Sequence, residues 1–263
     1  MRSSVANFAL FCVSCTTLPC AAELTEKVVD IPTRPEVTQR ILLITPEAPK
    51  AALILFAGGH GGLQIQPEGK LTWGDGNFVI RTRQQYAAQG FMVAVIDAPS
   101  DRQSPPFLSG FRMTSEHLAD IRGVISWLRQ QTPVPIWLLG TSRGTQSVAH
   151  AATQLTGDDA PNGIVLTSSI LTDKTSVPVT ELPLENVRTP VLVVHHENDG
   201  CKLCPYSETA NLMKKLNNSS RKKLLTFRGG EPQGDPCKAH AYHGFNGIEN
   251  DVVEQISQWV LEK

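Results

Sequence analysis

Charge of one sign is what this sequence lacks. Its 24 Lys and Arg stand against 25 Asp and Glu, a formal balance of -1 over 263 residues. That balance excludes a nucleic-acid binder held by a basic field and a chain with an acidic disordered tail. No period of 20–50 residues recurs, which excludes a solenoid or propeller. The 20 Gly and 18 Pro are scattered, which excludes collagen-like and low-complexity chains. A long hydrophobic run is also missing: the apolar stretch from Val5 to Leu18 is too short to span a bilayer comfortably. What is present, 41% hydrophobic and 19% charged residues, is the composition of a soluble globular chain. Its length fits one large domain or two small ones.

Residues 1–22 differ from the rest. Arg2 is the only charge before Glu23, and the apolar stretch ends in Pro19-Cys20-Ala21-Ala22. A basic start, a short apolar centre and small closing residues read as a secretory signal peptide, cleaved after Ala22. The expected location is secreted or periplasmic. A buried N-terminal helix is the bland alternative. A lipid anchor fits poorly, because Pro19 precedes Cys20 and Cys15 leaves a very short apolar core. Cleavage removes Cys12, Cys15 and Cys20, so three of the 6 cysteines remain: Cys201, Cys204 and Cys237. An oxidising compartment favours a disulfide among them, and an odd count leaves one thiol over.

From about residue 37 the pattern alternates. Val37–Ile44, Ala51–Ala57, Phe91–Asp97, Ile136–Leu139, Gly163–Thr167, Val191–His195 and Leu224–Phe227 are short apolar runs punctuated by Gly and Pro, as buried parallel strands are. Between them, Phe78–Gln89, Ser115–Arg129, Arg143–Gln154, Tyr206–Leu216 and Ile248–Leu261 read as helices. Strands alternating with helices predict an α/β fold with a mainly parallel sheet covered on both faces. No long linker interrupts the run, so residues 23–263 read as a single domain.

The sharpest feature is Gly140-Thr141-Ser142-Arg143-Gly144. It follows an apolar strand and opens a small, Ala-rich helix, the context that makes G-x-S-x-G a nucleophile elbow. A serine on so tight a turn needs small residues two before and two after it, which Gly140 and Gly144 supply. The helix that starts there aims backbone N–H groups at the reacting centre. The bland alternative is a Gly-rich turn with an idle serine.

With this motif in place, the chain after the leader resembles the α/β-hydrolase family of serine hydrolases, in its esterase, lipase and dienelactone-hydrolase branches. The resemblance implies an eight-stranded, mostly parallel sheet with helices on both faces. It also implies a nucleophile, acid and histidine in that chain order. Asp199, in Val193-Val194-His195-His196-Glu197-Asn198-Asp199-Gly200, matches the family's acid position after its seventh strand. Glu197 is the near rival, and Asp173 stands where some hydrolases carry the acid. The family places its histidine in the loop before the last helix, often followed by Gly-Phe. His243 fits both marks, in His243-Gly244-Phe245, and His240 fits only the first.

The oxyanion hole the family implies takes one N–H from Arg143, after the nucleophile. The other belongs to the loop Gly58-Gly59-His60-Gly61-Gly62, where Gly59 is the expected donor and His60 the alternative. The family's usual His-Gly start aligns with Ala57-Gly58, a departure. A His-x-x-His metal pair at His240 and His243 lacks a partner set. No metal and no cofactor is expected. The acid and base loops both carry cysteine, so a disulfide from Cys201 or Cys204 to Cys237 would tie them together. The rival is a redox C-x-x-C, which normally opens a helix.

The segment from Leu171 to Arg188 and the loop Asp101–Arg112 are both modest, so no large cap and a fairly open site are expected. Trp73, Phe107 and Phe111 are candidate lining residues. The expected reaction is cleavage of a small-molecule carboxylic ester or other acyl substrate through an acyl-enzyme on Ser142. A peptidase or amidase of the same fold is the near variant. A non-catalytic binding protein of that fold is the alternative from another class.

Overall fold

The structure, a computed structural model, describes residues 24–262. Residues 1–22, the expected leader with its three cysteines, lie outside the described residues. Strands β1 (Thr25–Arg34), β2 (Val37–Thr45), β3 (Ala51–Phe56), β4 (Phe91–Ile96), β5 (Ile136–Thr141), β6 (Gly163–Thr167), β7 (Val191–His196) and β8 (Lys222–Phe227) form one sheet. Its order is β1-β2-β4-β3-β5-β6-β7-β8. The β1–β2 and β2–β4 pairs are antiparallel and the other pairs parallel. Between them run α1 (Phe78–Arg81), α2 (Arg83–Ala88), α3 (Ser115–Gln131), α4 (Gly144–Gln154), α5 (Thr209–Lys215) and α6 (Glu249–Leu261).

The central strands are buried along their whole length because both faces are covered. Ala52, Ile54 and Phe56 of β3 pack in one core with α3, α4 and α5. Leu53 and Leu55, pointing the other way, share a second core with α1, α2 and α6. Between β6 and β7 lie only loop and two short 3₁₀ turns, Val179–Glu181 and Leu184–Asn186, so no large cap stands over the sheet.

Two departures from the sequence reading have local causes. The helix expected over Phe78–Gln89 is two helices, broken at Thr82 (φ -95°, ψ 3°), whose hydroxyl donates to the Phe78 carbonyl at 2.8 Å. Strand β1 carries no apolar run in the sequence, because charges and Pro32 interrupt it, and only Ile31 along it is buried. It is an outer strand, where Pro is tolerated. Its anchor is polar: Asp120 of α3, itself buried, accepts from Thr33 Oγ1 at 2.5 Å and from Arg34 Nε at 2.9 Å.

Helices α3 and α4 also meet through a polar contact. His117 Nε2 lies 2.9 Å from Ser147 Oγ, and the ring is 1% exposed. Burial first, then the nearby Arg112 charge, pulls its pKa from 6.5 down to about 3, so the folded protein keeps it neutral.

Two tests follow from these contacts. Asp120→Ala removes the buried acceptor of Thr33 and Arg34 while Asp101 still pairs with the Arg34 guanidinium at 3.0 Å, and should cost about 1–3 kcal/mol; no loss in urea unfolding would place the β1 anchor elsewhere. His117 gains a proton on unfolding below its ordinary value. Its contribution to stability is therefore whole above pH 6.5 and is lost as the pH falls from there towards about 3. His117→Gln should flatten the slope of stability against pH in that window by up to ~1.4 kcal/mol per pH unit. An unchanged slope in urea midpoints places the acid sensitivity in other groups.

Candidate active site

Ser142 sits directly after β5 with φ +53°, a left-handed conformation rare for a residue with a side chain. Its N–H donates to the Thr167 carbonyl at 3.0 Å, and its own carbonyl accepts from Thr145 N at 2.9 Å and Thr145 Oγ1 at 2.6 Å. Strand β6 and helix α4 thus hold the turn from both sides. The flanking glycines are there for space. A Cβ on Gly140 would meet the Gly144 carbonyl at 2.6 Å, and one on Gly144 would overlap the Phe56 carbonyl oxygen.

The structure brings Asp199 and His243 together. His243 Nδ1 donates to Asp199 Oδ2 at 2.9 Å, and both residues are buried. The other carboxylate oxygen accepts from Cys201 N at 2.9 Å. With Nδ1 committed to the carboxylate, Nε2 is left as the acceptor nitrogen, and it is buried with no hydrogen-bond partner. Ser142 and His243 line the same small cavity, about 50 Å³, with Gly58, Gly59 and Asn77. No hydrogen bond between the two side chains is closed in this structure. Such contacts commonly tighten only around a bound substrate.

The rival acids are engaged elsewhere. Asp173 accepts from Ser176 Oγ at 2.7 Å, from Thr175 and from Arg143 Nη1 at 2.9 Å. Burial opposes its charge, but these bonds outweigh burial and hold its carboxyl well below the usual range. Glu197 pairs with Arg228 at 2.6 Å. His240 is exposed and lies against Asn246.

The histidine loop is fixed by residues that no sequence motif announced. Arg81 of α1 donates to the carbonyls of Gly76 and Gly244 at 2.6 Å and of Ala239 at 3.1 Å, and pairs with Glu249 at 2.8 Å. Ser168 Oγ donates to the His243 carbonyl at 2.8 Å. Phe245 is fully buried against Phe78 and Phe227 and adopts φ +57°. Arg81 ends the short helix α1 behind Phe78, Val79 and Ile80, with polar residues after it, so only the fold reveals its reach.

The glycine loop runs beside Ser142. A Cβ on Gly58 would stand 2.9 Å from Ser142 Cβ, and one on Gly59, at φ +57°, would strike Trp73 at 2.7 Å. Among the described residues, neither the Gly59 nor the Arg143 N–H has an acceptor. The His60 ring lies between Trp73 and Phe107, at centroid distances of 3.8 and 4.4 Å. Phe111 is buried against Leu108 and Ala98. Beyond Arg143 opens a cavity of about 370 Å³, bordered by Leu108, Arg112, Met113, Gln146, Ser176 and Val177.

Of the two pairings open to Cys237, the structure contains Cys201–Cys237, with Cα atoms 4.5 Å apart. Among the described residues, Cys204 is the free, buried thiol. Burial first, and the Asp199 charge after it, push its pKa well up, which makes it a poor nucleophile. The C-x-x-C reading is therefore corrected: Cys201 pairs across to the histidine loop and leaves Cys204 alone.

No family model and no curated protein matches the chain. Solved structures do. An esterase of Pyrococcus furiosus shares 12% identity over 94% of this chain and 95% of its own, at TM-score 0.67. A dienelactone hydrolase of Anabaena variabilis shares 15% over 90% and 97%, at TM-score 0.62. An acylaminoacyl peptidase shares 15% over 91% of this chain and 42% of its own, at TM-score 0.62. The class the fold defines is thereby plain: this chain has the α/β-hydrolase fold, with the eight-stranded, mostly parallel sheet of those enzymes.

The disulfide closes a loop spanning 36 positions. Cys237→Ser should lower stability by about 2–4 kcal/mol. The described residues should show one reactive thiol when denatured without reductant; three would contradict the pairing.

Proposed function

We propose that this protein is a serine hydrolase that cleaves carboxylic esters, with Ser142 as nucleophile, His243 as base and Asp199 as its orienting acid. One observation carries the reading: the cavity beneath the strained Ser142 turn also holds a histidine whose Nδ1 is committed to a buried carboxylate and whose Nε2 is free. A binding protein has no need of a serine at positive φ beside an oriented, unpartnered imidazole nitrogen.

In the proposed mechanism His243 Nε2 takes the Ser142 proton as Oγ attacks the acyl carbon. Asp199 holds the tautomer and stabilises the imidazolium that forms. The Arg143 and Gly59 N–H groups receive the oxyanion, each donor contributing about 2.7–4 kcal/mol in comparable sites. His243 then returns the proton to the leaving alcohol, and a water activated by the same nitrogen releases the acid. No step calls for a metal or cofactor. The substrate is a small molecule. Its acyl or alcohol part has a place in the cavity of about 370 Å³ beyond Arg143.

We further propose export through the leader of residues 1–22. The Cys201–Cys237 disulfide supports it, since such bonds persist in oxidising compartments. Amide cleavage by the same residues is the second reading, prompted by the structural likeness to an acylaminoacyl peptidase.

Ser142→Ala should lower p-nitrophenyl ester hydrolysis by at least ~10³-fold and abolish labelling by a fluorophosphonate. Retained turnover rejects the assignment. A p-nitrophenyl acyl-chain series run beside aminoacyl and peptide anilides should show turnover of the esters. Preference for the anilides would make the protein an amidase instead.

A further inference from the structure

Arg112 lies in the loop that leads into α3, and it is 5% exposed. Among the described residues no carboxylate comes within ion-pair distance of it. Burial, and then the Arg143 charge, draws its pKa down to about 9, which leaves it charged at neutral pH. A buried cation without a counter-ion is costly unless its donors are satisfied. Here the acceptors are neutral. Nη2 donates to the carbonyls of Ala57 at 3.1 Å and Gly59 at 3.2 Å, and Nη1 donates to Ser147 Oγ at 2.9 Å. The loop makes room for this contact, since a Cβ on Gly61 would stand 2.5 Å from Arg112 Nη2.

The two carbonyls belong to the peptide units 57–58 and 59–60. In a trans peptide the C=O and N–H point to opposite sides. The Gly58 and His60 N–H groups therefore point away from Arg112, and Gly58 is the residue that abuts Ser142. Holding both neighbours also fixes the peptide between them, whose N–H belongs to Gly59. A cation on the carbonyl end polarises each amide and strengthens its N–H as a donor. Four glycines in five residues would otherwise leave this segment with many accessible conformations.

We propose that Arg112 is a positioning residue for the oxyanion hole: from behind the glycine loop its guanidinium polarises the Gly58 and His60 amides and clamps in place the peptide between them, which carries the Gly59 N–H. This rests on the reading of Ser142 as nucleophile. Arg112 touches no reacting atom. Its effect falls on the charged tetrahedral state, for which the loop donors matter most, and little on ground-state binding.

The test compares wild type with Arg112→Ala and Arg112→Lys on a p-nitrophenyl ester, and measures inhibition by an aryl boronic acid, which forms an anionic tetrahedral adduct with serine. Arg112→Ala should lower kcat and boronate affinity together, by about 10²-fold, with KM within about threefold of wild type. Millimolar guanidinium should restore activity to Arg112→Ala, and the same concentration of sodium chloride should not. Arg112→Lys keeps the charge but loses the fork. It should retain about a tenth of the boronate affinity, and it carries the test if the alanine variant does not fold. A rise in KM with kcat and boronate affinity unchanged would make Arg112 a substrate-binding group and overturn the proposal. So would wild-type boronate affinity in both variants, or no rescue by guanidinium. Wild type that neither hydrolyses esters nor takes a fluorophosphonate at Ser142 removes the functional reading itself, a result distinct from failure in the variants alone.

Discussion

The candidate site depends on one backbone conformation, the left-handed turn at Ser142. An L-residue there costs roughly 1–2 kcal/mol against the ordinary helical or extended regions. The turn persists because β5, β6 and α4 overdetermine it: Thr167 accepts the Ser142 N–H, and Thr145 donates twice to the Ser142 carbonyl. It also needs three neighbours without side chains, Gly58, Gly140 and Gly144, each of which would otherwise drive a Cβ into backbone or into Ser142 itself. The serine is thereby lifted out of the sheet plane and directed at the loops beyond the strand ends. Every other feature of the site answers to that placement.

The loops meet this fixed point with charged and covalent ties as well as with the apolar packing of Phe245. Asp199 and His243 come from segments 44 residues apart and join by one hydrogen bond. The Cys201–Cys237 disulfide links the same two segments a few residues away, and Arg81 ties the histidine loop back to α1 through the Ala239 and Gly244 carbonyls. Loops of this kind are the least stable part of an α/β fold, because their backbone groups lack a ladder. One half-buried and one buried arginine supply the missing partners here. Arg81 holds the histidine loop and Arg112 the glycine loop, each by donating to carbonyls that no strand or helix satisfies.

Much of this was legible in the sequence, and what was legible is what local patterns encode. Seven strands and the helical segments between them follow from apolar runs and helical spacing, because both faces of the sheet are covered. The elbow shows as two glycines around Ser142. Asp199 and His243 follow from their loops and from a family likeness, not from periodicity. The hidden parts lack a local signature. Strand β1 is polar because it lies at the sheet edge, and the break at Thr82 comes from one hydroxyl bonded to a carbonyl four residues back. Arg81 and Arg112 look like surface residues in the sequence. Their roles exist only once segments distant in the chain present bare carbonyls to them. Cys201 could not be told from Cys204 by spacing alone, since only two residues lie between them and either could face Cys237.

The surroundings of the site bear on the kind of substrate it can take. Among the described residues, Trp73 and Val177 are the two large hydrophobic side chains left exposed. Trp73 packs on Gly59 and lies tilted against the His60 ring, whereas Val177 borders the cavity beyond Arg143. Exposed apolar groups on either side of a polar centre are what a ligand with an uncharged body and one polar bond would cover. The short segment between β6 and β7 leaves this rim open. Under the proposed function, a substrate is then positioned by the rim and the loop amides, with no large cap to close over it. That raises the demand on the rigidity of the glycine loop. A buried, uncompensated guanidinium behind it is a costly device for a merely structural turn, but a fitting one for amides that must already be aimed when charge develops on the substrate oxygen.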